Sequence, residues 1–205
     1  MNVFHGTTSE IRKRIIKDRQ IKPSEADLAQ NIDAMLNWID RISVIQDSNI
    51  SDIPAVGYGG QPPALGNGVY AFEHKADAEN FSPEHCVVII ELSDNVQLID
   101  LDDPATLLKI ATYFLSNDFQ TCFDRRCYSD ELRTQYTKIF SLFGEFLIDL
   151  ELQNRTIRDY PYVFAYTLWF LEFIFDIKYP VVAYTFPEYA KFICIRDNHA
   201  IKSIY

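Results

Sequence analysis

Short apolar runs of strand length stand at both ends of this 205-residue chain, and a stretch of helical periodicity separates the two sets. Asn2–His5, Gly68–Phe72, His85–Leu92 and Val96–Ile99 precede the middle; Val181–Phe186, Lys191–Arg196 and the tail Ile201–Tyr205 follow it. From Pro104 to about Ile177 the pattern turns helical. Strands at the ends around helices in the middle predict one α+β domain over residues 1–205, with a helical insertion at about 103–178. The apolar density of the insertion favours a second layer of core over a regulatory or partner-binding subdomain.

Local punctuation refines this order. Asn2–His5 runs into HGTT, a strand stopping at a glycine turn, and Thr8 or Ser9 is placed to cap the helix that follows. Ile11, Ile15 and Ile16 are the expected buried stripe of that helix, which breaks at Lys22-Pro23-Ser24. Residues 25–45 form an amphipathic segment with Leu28, Ile32, Met35, Leu36 and Ile39 at three- and four-residue spacing. Residues 47–67 are rich in glycine and proline and read as a long loop, of the kind that carries function. Lys75–Phe81 is a short helix, and Pro104 suits the first turn of another. Further helices are expected near 129–152 and 162–175, and Pro187-Glu188 joins two late strands.

Charge and cysteine usage narrow the function classes. The chain carries 29 acids and 19 bases, net −10, so broad electrostatic binding to nucleic acid is disfavoured. Residues 11–22 run against the trend with six bases and one acid, which leaves −15 on the rest. That segment is either a local field for a phosphate-bearing ligand or a solvated helix face. Cys86, Cys122, Cys127 and Cys194 form no Cys-x-x-Cys pair, and no secretory signal opens the chain, so reduced thiols in a cytoplasmic protein are expected. Glu172, Asp176, Lys178 and Pro180 interrupt the apolar stretch 160–186, so no membrane span is expected. No zinc-ligand spacing, phosphate-binding Gly-x-x-x-x-Gly-Lys loop or Gly-x-Ser-x-Gly is present, and no metal is expected.

Two segments carry candidate chemistry. Val3-Phe4-His5-Gly6-Thr7 sets an imidazole beside a backbone without a side chain. A flat carboxamide can then approach the glycine N–H and C=O while the histidine bonds a ribose hydroxyl. The same pattern also suits a structural histidine. Leu65-Gly66-Asn67-Gly68-Val69-Tyr70 enters a strand through two glycines and presents a ring suited to stacking on nicotinamide; its alternative is a glycine turn with a core tyrosine.

Together these segments resemble the ADP-ribosyltransferase superfamily, in its branch with a His–Tyr–Glu signature. That branch includes diphtheria-toxin-like and poly(ADP-ribose)-polymerase-like enzymes and small bacterial and phage transferases. Phe4-His5-Gly6-Thr7 matches the first-strand motif, and Gly66–Tyr70 with Ala76–Phe81 matches the later strand and its short helix. Ile21-Lys22-Pro23-Ser24 and the tail Ile195-Arg196-Asp197 with Ile201–Ile204 are similar to further family elements. The likeness covers 2–24, 65–101 and 180–205 and leaves 26–60 and the helical middle without a counterpart.

The resemblance implies an ADP-ribosyltransferase-like split β-sheet core and NAD as the substrate. Gly6 would hold the nicotinamide amide, Tyr70 would stack on its ring, and His5 would bond the adenine-side ribose. Thr7 or Ser24 would add hydroxyl contacts, Gly68 would let the backbone approach, and Arg12, Arg14 and Lys17 would offset pyrophosphate charge. Family members also place an acid on or just before a late strand, where it stabilises developing positive charge at the ribose C1′. One alignment puts Phe192 there; the other, favoured here, gives the position to Glu188. The implied activity is mono-ADP-ribosyl transfer to an unidentified acceptor, protein sooner than nucleic acid, in a toxin or anti-defence effector with a neutralising or regulatory protein partner. NAD glycohydrolysis and a catalytically inactive, partner-binding version are the alternatives.

Overall fold

The computed structural model describes residues 1–24, 64–116, 121, 130, 163–186 and 190–205. They form seven strands and four helices in a mixed α+β arrangement. The strands are β1 (Asn2–Thr7), β2 (Val69–Phe72), β3 (Cys86–Leu92), β4 (Leu98–Asp100), β5 (Val181–Thr185), β6 (Lys191–Ile195) and β7 (Ile201–Ile204). The helices are α1 (Ser9–Asp18), α2 (Lys75–Phe81), α3 (Pro104–Leu115) and α4 (Val163–Phe175). The segment 25–45, most of the 47–67 loop, the helix expected near 129–152, Cys122, Cys127 and Glu188 lie outside the described residues.

Two compact units divide the chain. One comprises Met1–Glu25, Asn67–Asp102 and Tyr179–Tyr205; the other comprises Ala26–Gly66 and Asp103–Lys178. The first holds all seven strands in one sheet of order β4-β5-β6-β2-β1-β3-β7, so the ends of the chain meet in a single sheet. β4 and β5 are parallel, and the other neighbours are antiparallel.

Strand alternation builds the core of this unit. Val3, Val69, Ala71, Val88, Ile90, Ile193, Ile195, Val181 and Ala183 fall on one face and are nearly solvent-free. α1 covers part of that face through Ile15. Thr8 caps α1, its hydroxyl accepting from the Ile11 N–H at 3.4 Å, and Arg19 closes the helix in the left-handed region at φ 52°. Ile11 and Ile16, expected in the buried stripe, are instead 37% and 36% exposed. α1 contributes only Ile15 to the core, and its other residues, the cations Arg12, Lys13, Arg14 and Lys17 among them, are exposed.

The opposite face is aromatic. Phe72 and Phe192, paired across β2 and β6, meet tilted with centroids 4.7 Å apart, and Phe81 at the end of α2 packs on both. Phe186 meets Phe192 edge-on at 5.2 Å. At the β4 end, Lys191 Nζ lies 2.6 Å from Asp100 and 3.1 Å from Asp102. Asp102 also accepts from the N–H and hydroxyl of Thr185. This clip ties the start of β6 to the residues around β4, across the intervening β5.

In the second unit, α3 begins at Asp103, whose carboxylate caps the Ala105 N–H, with Pro104 in the first turn. Leu107, Ile110, Ala111 and Phe114 form its buried stripe. α4 is buried on every side from Phe164 to Leu168 and again at Phe170 and Leu171, as expected of a helix that is apolar all round. Among the described residues, no helix is long and apolar enough to cross a membrane.

Candidate functional site

β1 and β3 pair over six residues, from Asn2↔Glu91 to Thr7↔Cys86. β1 and β2, by contrast, register at Phe4↔Phe72 alone. Continuing that register would set Gly6 opposite Tyr70, but the ladder stops before it. Antiparallel alternation explains what the break exposes. Leu92 donates to the Met1 carbonyl, so the odd residues of β1 direct their peptide groups to β3 and the even ones, Phe4 and Gly6, direct theirs to β2. The N–H and C=O of Gly6 therefore face the opening between the strands.

His5 fills the place of the missing ladder bond. Its Nδ1 lies 2.7 Å from the Tyr70 carbonyl oxygen. A carbonyl only accepts, so Nδ1 carries the hydrogen and Nε2 keeps a lone pair that can accept from a hydroxyl. Burial lowers the His5 pKa, and the bond to Tyr70 only partly offsets it, so the ring stays neutral at pH 7. The contact is imidazole to backbone, not ring to ring. Alternation sends the His5 ring to the face of Val3 and Ala71, and the Tyr70 ring to the face of Gly6 and Phe72. The two rings therefore lie on opposite faces of the sheet, and the Tyr70 side chain is hydrogen-bonded to Cys194 of β6.

α2 closes the Tyr70 side of Gly6. A Cβ at Gly6 would collide with the Ala78 carbonyl and lie 3.3 Å from the Ser82 Cβ. Ala78 itself is fully buried, and the Ser82 hydroxyl donates to the Thr7 carbonyl. This packing requires glycine at position 6 whether or not a ligand binds. Thr7 is buried at the end of β1. Phe81, beside this site and 52% exposed, was not among the residues singled out from sequence. Its signal was available, as the only aromatic in KADAENF and the last residue of α2.

Gly68 and Ser24 hold each other. The Ser24 N–H donates to the Gly68 carbonyl at 2.7 Å and the Gly68 N–H donates back at 3.0 Å. That isolated bridge joins the end of the first segment to the entry of β2. A Cβ at Gly68 would stand 2.6 Å from both the Cys194 Sγ and the Ile195 carbonyl. Gly68 thus has structural work of its own, and its peptide groups are engaged. Gly66, two residues earlier, takes a positive φ of 83°. Cys194, opposite Tyr70 on β6, is buried, which pushes its thiol up to about 12 against the opposing pull of Arg196 and Tyr70.

The remaining expected residues fall as follows. The Arg12 Nε donates to the Val87 carbonyl at 3.0 Å, which commits one edge of its guanidinium to β3. Arg14 and Lys17 are exposed on α1. Glu188 lies outside the described residues, and Phe192, the other residue at the acid position, sits in the aromatic cluster with Phe72 and Phe81. Among the described residues no group of histidine, cysteine or acidic side chains is placed to hold a metal ion. Set against models of known families, curated proteins and solved structures, the chain matches none.

Proposed function

We propose that the chain is an NAD-dependent mono-ADP-ribosyltransferase, with an ADP-ribosyltransferase-like split sheet as its core. The observation that carries this reading is the break between β1 and β2, where the neutral His5 bonds the Tyr70 carbonyl and the peptide groups of Gly6 face the opening. Gly6 then bonds the nicotinamide carboxamide, and the Tyr70 ring packs on the pyridinium. His5 Nε2 accepts from a hydroxyl of the adenine-side ribose, while Thr7 lines the end of β1.

In the reaction the bond between the nicotinamide nitrogen and the ribose C1′ breaks, and nicotinamide leaves with the bonding pair. A nucleophile of the acceptor forms the new bond at C1′ and gives up its proton. Glu188 supplies the carboxylate that stabilises positive charge at C1′ and orients the attacking group. Water in place of the acceptor makes the same site an NAD glycohydrolase. A role as a toxin or anti-defence effector fits this chemistry, with protein the favoured acceptor for a chain of net charge −10.

A second reading rests on Phe192. If the acid position falls there, the aromatic cluster around it has no carboxylate to offer, and the protein binds NAD without cleaving it. Incubation with NAD and cell lysate separates the two, with free nicotinamide and ADP-ribose adducts read by mass spectrometry. The transferase reading expects both products from the wild type and a loss of about 10²-fold or more in Glu188→Ala. NAD binding by the wild type without either product leaves the inactive reading standing. Absence of NAD binding removes both.

A further inference from the structure

We infer that the open groove between the 19–23 segment and β7 receives an extended acidic peptide, which lies along the free edge of the sheet. The groove has a volume of about 770 Å³ and is lined by Arg19, Ile21, Lys22, Ile201, Lys202 and Ile204, among others. Among the described residues β7 is the last strand of the sheet on that side. Tyr205 and Ile89 exchange both backbone hydrogen bonds, at 2.9 and 3.0 Å, so the residue before Tyr205 turns its peptide groups the other way. The N–H and C=O of Ile204 therefore face the groove, ready to bond an added strand.

Charged side chains decide which peptide fits. A lysine on an edge strand ordinarily guards it, but the Lys202 ammonium is folded back onto Glu91 at 2.8 Å, with Asp94 at 3.7 Å. A register shift opposite Glu91 and Leu92, whose partners are Ser203 and Ile201, also leaves Lys202 out of the regular ladder, which confines strand addition to the end of β7. Arg19 and Lys22 are the cations left over. Both are exposed, and among the described residues neither side chain is engaged in a hydrogen bond or ion pair. They place two uncompensated positive charges on the groove wall of a chain whose net charge is −10. A short acidic segment meets those charges alone, whereas a long polyanion also meets the repulsion of the acidic remainder. A second copy laid edge to edge along β7 would set Arg19 and Lys22 against their own counterparts.

The probe is a fluorescein-labelled octapeptide of alternating valine and glutamate, titrated by anisotropy against the full chain at low salt. The same peptide N-methylated at alternate residues and a valine–lysine octapeptide serve as controls. Saturable binding of the acidic peptide is expected, weakened about tenfold or more by the exposed double change Arg19→Glu and Lys22→Glu, and lost on N-methylation. Ile204→Pro removes the outward N–H and should also abolish binding. Its melting curve is recorded beside it, and the charge-reversed variant decides the matter if the proline variant does not fold. The proposal is overturned if the acidic peptide shows no saturable binding, if the charge-reversed protein binds as tightly as the wild type, or if the methylated or lysine peptide binds equally. Displacement of the peptide by a single-stranded oligonucleotide at lower concentration than by unlabelled peptide would also overturn it.

Discussion

At His5 a single hydrogen bond sets both geometry and charge. Donation from Nδ1 to the Tyr70 carbonyl fixes the ring in the opening, and burial holds its pKa below the ordinary value. The unfolded chain therefore binds this proton more readily than the folded one, so the linked stability is full above about pH 6.5 and is lost as pH falls through that value toward the lowered folded pKa. His5→Asn should flatten this part of the profile, a difference visible in urea midpoints of the two proteins at pH 7.5 and pH 5.5. Equal slopes would mean that His5 titrates as if exposed. Gly6 poses a steric case beside it. Gly6→Ala drives a methyl into the Ala78 carbonyl, and the backbone of α2 cannot swing aside as a side-chain tip would. A loss of about 1–3 kcal/mol in denaturant unfolding is expected, with or without NAD. Arg19 runs the other way. At φ 52°, replacement by glycine relieves a left-handed residue and should raise stability by about 0.5–1 kcal/mol.

Elements are held in place by contacts of different legibility. The Lys191 clip joins β6 to Asp100 and Asp102. Partial burial disfavours the Asp102 charge, but the two bonds from Thr185 and the Lys191 ammonium outweigh it, and the carboxyl ends below its usual value. The stabilisation is therefore present at neutral pH and is lost as pH falls through that lowered pKa. Lys191→Met should cost about 1 kcal/mol at pH 7, since all three groups are partly exposed. The penalty should shrink in urea unfolding at pH 3, and a penalty that does not change would assign it to packing. None of this was readable beforehand, because the partners lie 91 and 89 residues from Lys191 in sequence. The described helices and strands themselves were readable. Lys75–Phe81 and the α3 start at Pro104 fall where composition and caps put them, because local periodicity and capping depend on neighbours in the chain. The exposure of Ile11 and Ile16 was not, since it depends on how far α1 presses onto the sheet. At the site, His5, Gly6 and Tyr70 could be named from short motifs, whereas the break in the β1–β2 ladder is a long-range pairing property that no motif encodes.

Across the whole molecule, the chain brings strands from both ends into one sheet, and the site residues His5, Gly6 and Tyr70 belong to the two adjacent strands where pairing stops. A ligand that enters that break and binds only the folded state must raise the stability of the fold. At about a hundredfold excess over Kd the gain is about 2.7 kcal/mol, and each kcal/mol moves the thermal midpoint of a chain this size by about 2–4 °C. On the proposed function, NAD should raise the melting midpoint by about 5–10 °C near saturation. Tyr70→Ala removes the stacking surface and should lose most of the shift. Glu188→Ala should keep it, because a carboxylate that acts on developing charge at C1′ contributes more to the transition state than to the bound substrate. The pair thus separates binding from chemistry in one scan. An unmoved midpoint with excess NAD, or a full shift retained in Tyr70→Ala, would detach NAD from the β1–β2 opening and leave that break to sheet geometry alone.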